Sequence, residues 1–137
     1  MRRASRIYFA HPICVYGSPQ EEVQLQRIRS RFPRAKILNP AEHAADVLDP
    51  GTVMNHYLGL LKGCDLVVFT LLYGRITSGV GKEVNFAIDR GIEVYELRGR
   101  RFLRRKRRVT FASRAATVRL YERWSRSHSS RQGPDFF

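Results

Sequence analysis

Short apolar runs alternate with stretches of helical periodicity over residues 1–97 of the chain. The run at residues 65–72 is rich in β-branched and aromatic side chains, which is typical of a strand buried on both faces of a parallel sheet. After a polar loop, four apolar residues recur at the spacing of one helix face: Val80, Val84, Ala87 and Ile88. Gly91 ends this helix, and a second strand is expected at residues 92–97. The pattern therefore predicts a strand–helix–strand unit, a crossover that is nearly always right-handed.

The residues before this unit show the same alternation. Strands are expected at residues 6–10 and 35–38, and helices at residues 21–31 and 53–62, the second after a turn at residues 49–52. The predicted fold is α/β, a single-domain flavodoxin- or Rossmann-like three-layer sandwich with a mostly parallel sheet of about five strands.

The chain after Leu97 predicts the remaining elements. A fifth strand is expected at residues 109–112 and a last helix at residues 115–127, with Ala115, Val118, Tyr121 and Trp124 facing inward. The domain would then cover residues 1–127. Residues 128–137 are polar and are expected to form a flexible tail.

The loop before the central helix has the features of an anion site. With Ser78 as the expected N-cap, the amides of Gly79, Val80 and Gly81 would be free at a helix N-terminus, and the two glycines would let a ligand approach closely. Glu83 follows in the same part of the helix, where the helix dipole favours an ionised carboxylate. Such a group could act as a nucleophile or a base. An ordinary surface glutamate early in a helix is the simpler interpretation.

Three segments occur in a distinctive combination: IYFAHPI at residues 7–13, DLVV at residues 65–68 and TSGVGKEV at residues 77–84, followed by Ala87. In this combination the chain resembles the nucleoside 2-deoxyribosyltransferase superfamily. That superfamily includes transferases that exchange bases on deoxyribose and hydrolases that cleave the N-glycosidic bond of nucleoside 5′-monophosphates. The resemblance spans residues 5–97, about two thirds of the chain.

The resemblance implies roles for particular residues. Glu83 would be the nucleophile that attacks the anomeric carbon, and Tyr8 would position it. Thr77 would contact phosphate or sugar, together with Ser78 and the amides of residues 79–81. The resemblance also implies a nucleoside or nucleotide as the small-molecule partner and a homodimer or larger assembly, with no metal or redox cofactor.

His11 is a further binding candidate because it follows the first strand. In open α/β sheets, ligands bind at the carboxyl ends of the strands. A hydrogen-bonded loop histidine is an almost equally good interpretation of His11, and Tyr16 in the same loop is either a site residue or a packing residue.

The chain departs from the family at one position. The family usually carries an aspartate eight residues before the aspartate of its central strand, as a general acid or to position the base; here that position is Tyr57, beside His56. His56 and Tyr57 are the candidate proton donors. The departure leaves two alternatives open beside N-glycosidic chemistry: a nucleotide-binding or sensing module with altered chemistry, and a nucleic-acid-associated protein.

The nucleic-acid alternative comes from the charge. The chain has 25 lysines and arginines against 12 acidic residues, a net charge of +13, and only four of the basic residues are lysines. Residues 98–108 contain eight of these cations. Such a run can be a nucleic-acid footprint, a solvated loop or a surface for an acidic partner.

Two further observations bear on the compartment. Cys14 and Cys64 show no metal-binding or redox spacing, which favours a reduced cytoplasm. No stretch has the length of a membrane span, and the basic N-terminus leads into a predicted strand rather than a signal peptide. We therefore expect a cytoplasmic protein without a membrane partner.

Overall fold

A computed structural model of the chain describes residues 5–42 and 53–132. Its sheet contains the strands β1 (Arg6–Ala10), β2 (Lys36–Leu38), β3 (Leu66–Phe69), β4 (Glu93–Arg98) and β5 (Arg101–Arg105). Their spatial order is β2-β1-β3-β4-β5, with the first four parallel and β5 antiparallel to β4. The predicted α/β fold with a mostly parallel five-stranded sheet is confirmed. The strand order reverses between β1 and β3, where open sheets of this kind bind ligands.

Helices cover both faces of the sheet. Leu25 and Ile28 of α1 (Pro19–Arg31) pack against β1 and β3 on one face. On the other face, α2 (Val53–Lys62) and α3 (Ser78–Asp89) pack their apolar residues against the same two strands. The stripe predicted for α3 is confirmed, because Val80, Val84 and Ala87 are all buried. None of the helices in the described ranges is long and apolar enough to cross a membrane.

The last helix, α4 (Arg114–Gln132), packs on the loops at the carboxyl edge of the sheet. Its residues Ala116, Leu120 and Trp124 join a cluster with Val15, which follows β1, and Leu72, which follows β3. The inward face predicted for this helix is partly wrong, since Ala115 and Val118 are exposed.

The end of α4 also differs from the prediction. The helix continues to Gln132, so residues 128–132 are helical where a flexible tail was expected. The predicted turn at residues 49–52 and the rest of the predicted tail lie outside the described residues.

The fifth strand was predicted at the wrong place. Residues 109–112 are not a strand, and β5 lies within the basic run, joined to β4 by a turn in which Gly99 has φ +61°. Phe102 of β5 packs edge-on against Phe32, with ring centroids 5.8 Å apart. This contact anchors the arginine-rich segment as a hairpin, and the interpretation as a solvated loop is wrong.

Candidate functional site

Glu83 is buried against the sheet and hydrogen-bonded to a strand residue. It lies beside the apolar stripe of α3 and is only 7% exposed. The hydroxyl of Tyr8, from the middle of β1, donates a hydrogen bond to Oε2 of Glu83. The structure gives Oε1 no hydrogen-bond partner among residues 5–42 and 53–132. The contact between Tyr8 and Glu83 is the one the resemblance predicts, and it engages Oε2 of the carboxyl.

The protonation state of Glu83 differs from the prediction. Burial raises the pKa of Glu83 to about 7, although the hydrogen bond from Tyr8 favours the charged form. The helix dipole therefore does not keep this carboxyl fully ionised, and it titrates near neutral pH. Burial, with a further contribution from Glu83, raises the pKa of Tyr8 far above its ordinary value. Tyr8 thus remains a protonated donor.

Three more tyrosines lie near Glu83 or near its partner Tyr8. Burial, followed by the charge of Glu83, raises the pKa of Tyr16. Burial also raises the pKa of Tyr121 in α4, with a smaller contribution from Glu83. Tyr57 of α2 is 7% exposed, packs in the same cluster as Tyr8, and adds to the rise in the pKa of Tyr8 and Tyr16. The structure therefore places Tyr57 near Tyr8, the hydrogen-bond partner of Glu83.

His56 lies behind Tyr57 in the same helix. The two rings meet edge-on with centroids 5.4 Å apart. Nε2 of His56 is buried and has no hydrogen-bond partner within the described part of the chain. We call Tyr8, Tyr16, Tyr57 and Tyr121 the tyrosine cluster. His56 contacts this cluster through Tyr57, and the role of His56 as a proton donor stays a prediction.

The N-terminus of α3 offers fewer free amides than predicted. The N-cap is Thr77 and not Ser78, which is the first helical residue. The Gly81 amide donates to the Thr77 carbonyl at 2.8 Å, and the Ser78 amide donates to Oγ1 of Thr117 at 2.9 Å. Of the three predicted donors, the amides of Gly79 and Val80 have no hydrogen-bond acceptor among residues 5–42 and 53–132.

The hydroxyl of Thr77 lies at this helix terminus. It is fully buried beside the hydroxyl of Tyr121, but the two do not meet at hydrogen-bond geometry. This hydroxyl could donate to a ligand oxygen at the two remaining amides only after the side chains that bury it move.

The two glycines of the turn have different roles. A Cβ at Gly81 would overlap the ring of Phe111, so this glycine makes room for an aromatic side chain and not for a ligand. At Gly79 the nearest atom to such a Cβ is Cε of Met54, 4.0 Å away. Only Gly79 retains the predicted space for close approach of a ligand.

His11 is engaged within the protein. Its Nδ1 lies 3.0 Å from the Phe9 carbonyl oxygen and its Nε2 lies 2.7 Å from Oε2 of Glu21. Burial opposes ionisation of Glu21, but hydrogen bonds from His11 and the Gly17 amide outweigh it and lower the pKa of Glu21. Both ring nitrogens of His11 thus lie at hydrogen-bond distance from a protein oxygen, and neither is free for a ligand in this arrangement.

The sequence analysis missed residues that reach the site from the C-terminal third of the chain. Thr117 and Tyr121 are one helical turn apart in α4, and Phe111 precedes that helix. Nothing local in the sequence places them at α3. The i, i+4 spacing of two hydroxyl-bearing residues beside an apolar stripe was the only signal that could have indicated them.

Burial keeps both cysteine thiols in their neutral form. Burial raises the pKa of Cys64 to about 11 and that of Cys14 to about 12, so both thiols stay protonated at neutral pH. Within residues 5–42 and 53–132, no three His, Cys, Asp or Glu side chains are grouped as metal ligands.

No family model matches the chain, and no protein with a curated description matches it. A solved structure of a conserved protein from Enterococcus faecalis V583 is similar to it, with 23% sequence identity and a TM-score of 0.57. The similarity covers 67% of this chain and 62% of that one, so the chain spans less than two thirds of that protein. At this identity the likeness shows the shared α/β fold alone.

Proposed function

We propose that this protein cleaves or transfers the N-glycosidic bond of a nucleoside or nucleoside 5′-monophosphate, as the resemblance to the nucleoside 2-deoxyribosyltransferase superfamily implies. The observation that carries the proposal is the hydrogen bond from Tyr8 to the buried carboxyl of Glu83. This hydrogen bond engages Oε2 of Glu83 and leaves Oε1 to attack the substrate. A buried, oriented carboxyl at a sheet edge is suited to nucleophilic catalysis.

The reaction would follow the logic of a retaining glycosidase. Oε1 of Glu83 attacks C1′, and the bond between C1′ and the base nitrogen breaks while the base takes a proton. Water or a second base then attacks C1′ of the glycosyl ester, and Glu83 leaves as a carboxylate. The phosphate or sugar hydroxyls would lie at the amides of Gly79 and Val80 and the hydroxyl of Thr77.

The proton for the leaving base would come from the tyrosine cluster. Tyr57 occupies the position at which the family usually carries an aspartate, and it is buried in the same cluster as Tyr8. His56 contacts Tyr57 and has an unpartnered ring nitrogen within the described chain. Tyr57, with His56 behind it, is thus the proposed proton donor.

Product analysis tests the proposal. The protein would be incubated with nucleosides and their 5′-monophosphates, and free base would be measured by chromatography. We expect release by the wild type and loss of at least 100-fold in Glu83→Gln, since covalent capture by the carboxylate is removed. The rate should rise with pH through about 7, because attack requires ionised Glu83.

A matched control is Glu22→Gln, which changes an exposed glutamate of α1 and should leave release unchanged. Base exchange that requires a second base would identify a transferase. Nucleotide binding by both wild type and Glu83→Gln without base release by either would contradict the proposal and favour a nucleotide-binding module.

A second candidate, association with nucleic acid, is favoured by the shape of the basic run. Its residues form an exposed hairpin with β5 at the edge of the sheet, where a polymer can reach them. Arg100, Arg101, Lys106 and Arg107 are exposed and form no ion pair with the acidic residues of the described ranges. Exposed arginines at a sheet edge can contact successive phosphates.

A further inference from the structure

A cavity of about 300 Å³ opens beside the β4–β5 hairpin, and neither Tyr8 nor Glu83 lines it. Three arginines line it: Arg75 from the loop after β3, Arg98 at the end of β4 and Arg105 at the end of β5. The other lining residues are uncharged and include Ile76, Thr110 and Phe111. The cavity thus gathers three guanidinium groups from three separate elements.

A buried carboxylate holds two of these arginines in place. Glu96 of β4 is 0% exposed. Its Oε2 accepts a hydrogen bond from Nε of Arg98 at 2.7 Å, and Nη2 of Arg98 forms an ion pair with the same oxygen at 2.7 Å. Its Oε1 accepts from Nε and Nη2 of Arg105, at 3.1 and 2.5 Å. Each guanidinium therefore keeps its Nη1 donors for another partner, and its plane is fixed in advance.

Arg75 is presented by a tight turn. Leu72 and Arg75 exchange two backbone hydrogen bonds, of 2.8 and 3.0 Å. The two residues between them, Tyr73 and Gly74, have φ of +49° and +73°, as in a type I′ turn. Such a turn is rigid, and Arg75 forms no ion pair with the acidic residues that the structure describes. Its guanidinium is available to the cavity.

We propose that this cavity binds a phosphate group. The three guanidiniums of the lining, together with the carboxylate of Glu96 behind two of them, carry a net charge of +2, which matches a phosphate dianion. Guanidinium forks fit phosphate oxygens better than they fit a monovalent ion, and Glu96 limits the repulsion between Arg98 and Arg105. The site uses none of the residues proposed to act on the sugar, so it stands independently of the proposed function.

The phosphate has two sources with the same chemistry, a free nucleotide and the backbone of a nucleic acid. A neighbouring cavity of about 550 Å³ shares Ile76, Arg105 and Thr110 with this one and is lined further by Lys106 and Arg107. A polymer bound in the first cavity would place its next phosphates in the second.

Nuclear magnetic resonance can observe the site directly. The Nε–H groups of Arg98 and Arg105 donate to a buried carboxylate, so their proton signals should exchange slowly enough to follow in ¹⁵N-labelled protein. Inorganic phosphate should shift both signals to saturation, whereas sodium acetate at equal ionic strength, with a single negative charge, should shift them less. Arg75→Ala should weaken phosphate binding about tenfold or more, the effect of losing one charged hydrogen-bond partner.

Arg100→Ala is the matched control, because it removes an equal charge from the turn of the same hairpin without touching the cavity. Its phosphate affinity should stay within about twofold of wild type. Equal weakening by both variants, equal shifts with acetate, or phosphate shifts confined to the amides of Gly79 and Val80 would each overturn the proposal. Since Arg75 lies on an exposed turn, its variant tests the site without disturbing the buried pairs of Glu96.

Titration with adenosine monophosphate and with a short thymidine oligonucleotide then distinguishes the sources. A nucleotide that shifts only the signals of the first cavity supports a small-molecule site. An oligonucleotide that also shifts the amides of Lys106 and Arg107 supports a nucleic-acid site. Failure of all three phosphate compounds to shift the Arg98 and Arg105 signals would overturn the proposal even if Glu83 proved catalytic.

Discussion

At the residue scale, the carboxyl of Glu83 couples the stability of the fold to pH. Its pKa rises from 4.5 to about 7 on folding because burial disfavours the charge. The folded state therefore binds the proton more tightly than the unfolded state. The stabilisation is present below pH 4.5 and is lost as pH rises through about 7. The loss is about 3 kcal/mol, from about 1.4 kcal/mol for each pH unit between the two pKa values.

Replacing Glu83 with Gln tests this coupling. Glutamine has nearly the same shape and no charge, so Glu83→Gln should reduce the fall in the free energy of unfolding between pH 5 and pH 8 by about 3 kcal/mol. Urea unfolding of both proteins at the two pH values measures the difference, with Glu22→Gln as an exposed control. An identical pH dependence in wild type and variant would mean that the bond from Tyr8 outweighs burial and that Glu83 is ionised throughout.

The residue scale also separates what the sequence could predict from what it could not. The pairing of Tyr8 with Glu83 follows from the resemblance, because both lie in matching motifs. The raised pKa of Glu83 does not, since it depends on how completely the neighbouring elements cover the carboxyl. Thr117 accepts a hydrogen bond from the amide of Ser78, which is 39 residues away in the sequence, and no local pattern indicates such a contact.

At the element scale, Phe111 in the segment before α4 packs against Gly81 at the start of α3. Gly81→Ala would drive a methyl group into the ring of Phe111, and such overpacking costs about 1–3 kcal/mol. Gly79→Ala meets open space in the same helical turn and should stabilise the protein by up to about 1 kcal/mol through helix propensity. Thermal or urea unfolding of the two variants should therefore give opposite signs.

A third variant checks the cause. Adding Phe111→Ala to Gly81→Ala should remove the overlap and restore most of the stability lost relative to Phe111→Ala alone. If Gly81→Ala were as stable as Gly79→Ala, Phe111 would not rest on the glycine in solution, and the space at Gly81 would again be open to a ligand.

Sequence patterns predicted best those elements whose buried residues can be recognised from the element's own sequence. β1 and α2 match their expected bounds, because an apolar run or stripe between clear breakers determines each. β5 was misplaced because Phe102 and its neighbours become a strand only by pairing with β4 and packing on Phe32. The face of α4 was misjudged because this helix packs on irregular loops, where Ala116 and Leu120 fit and Val118 does not.

At the scale of the whole molecule, the chain has a net charge of +13, but carboxylates neutralise part of the basic run at residues 98–108. This run therefore carries less net charge than its sequence indicates. Arg98 and Arg105 share Glu96, Arg104 lies 3.6 Å from Glu93, and Arg108 pairs with Asp89. These three carboxylates offset three of the eight charges at residues 98–108, which leaves five. A polyanion would therefore meet a smaller effective charge than the basic run contains.

This difference can be measured if the hairpin holds a nucleic acid. The affinity for a single-stranded oligonucleotide should fall with a slope of about −3 to −4 in log K against log salt, whereas eight uncompensated cations would give about −6. Asp89→Asn frees Arg108 and should steepen the slope by about 0.7, while Glu22→Gln on α1 should leave it unchanged. A slope near −6 in the wild type would mean that the polymer displaces Glu93, Glu96 and Asp89 from their arginines. For Glu96 this displacement requires breaking the ion pairs of a fully buried carboxylate. Absence of binding at low salt would remove the nucleic-acid candidate and leave the phosphate cavity to a small nucleotide.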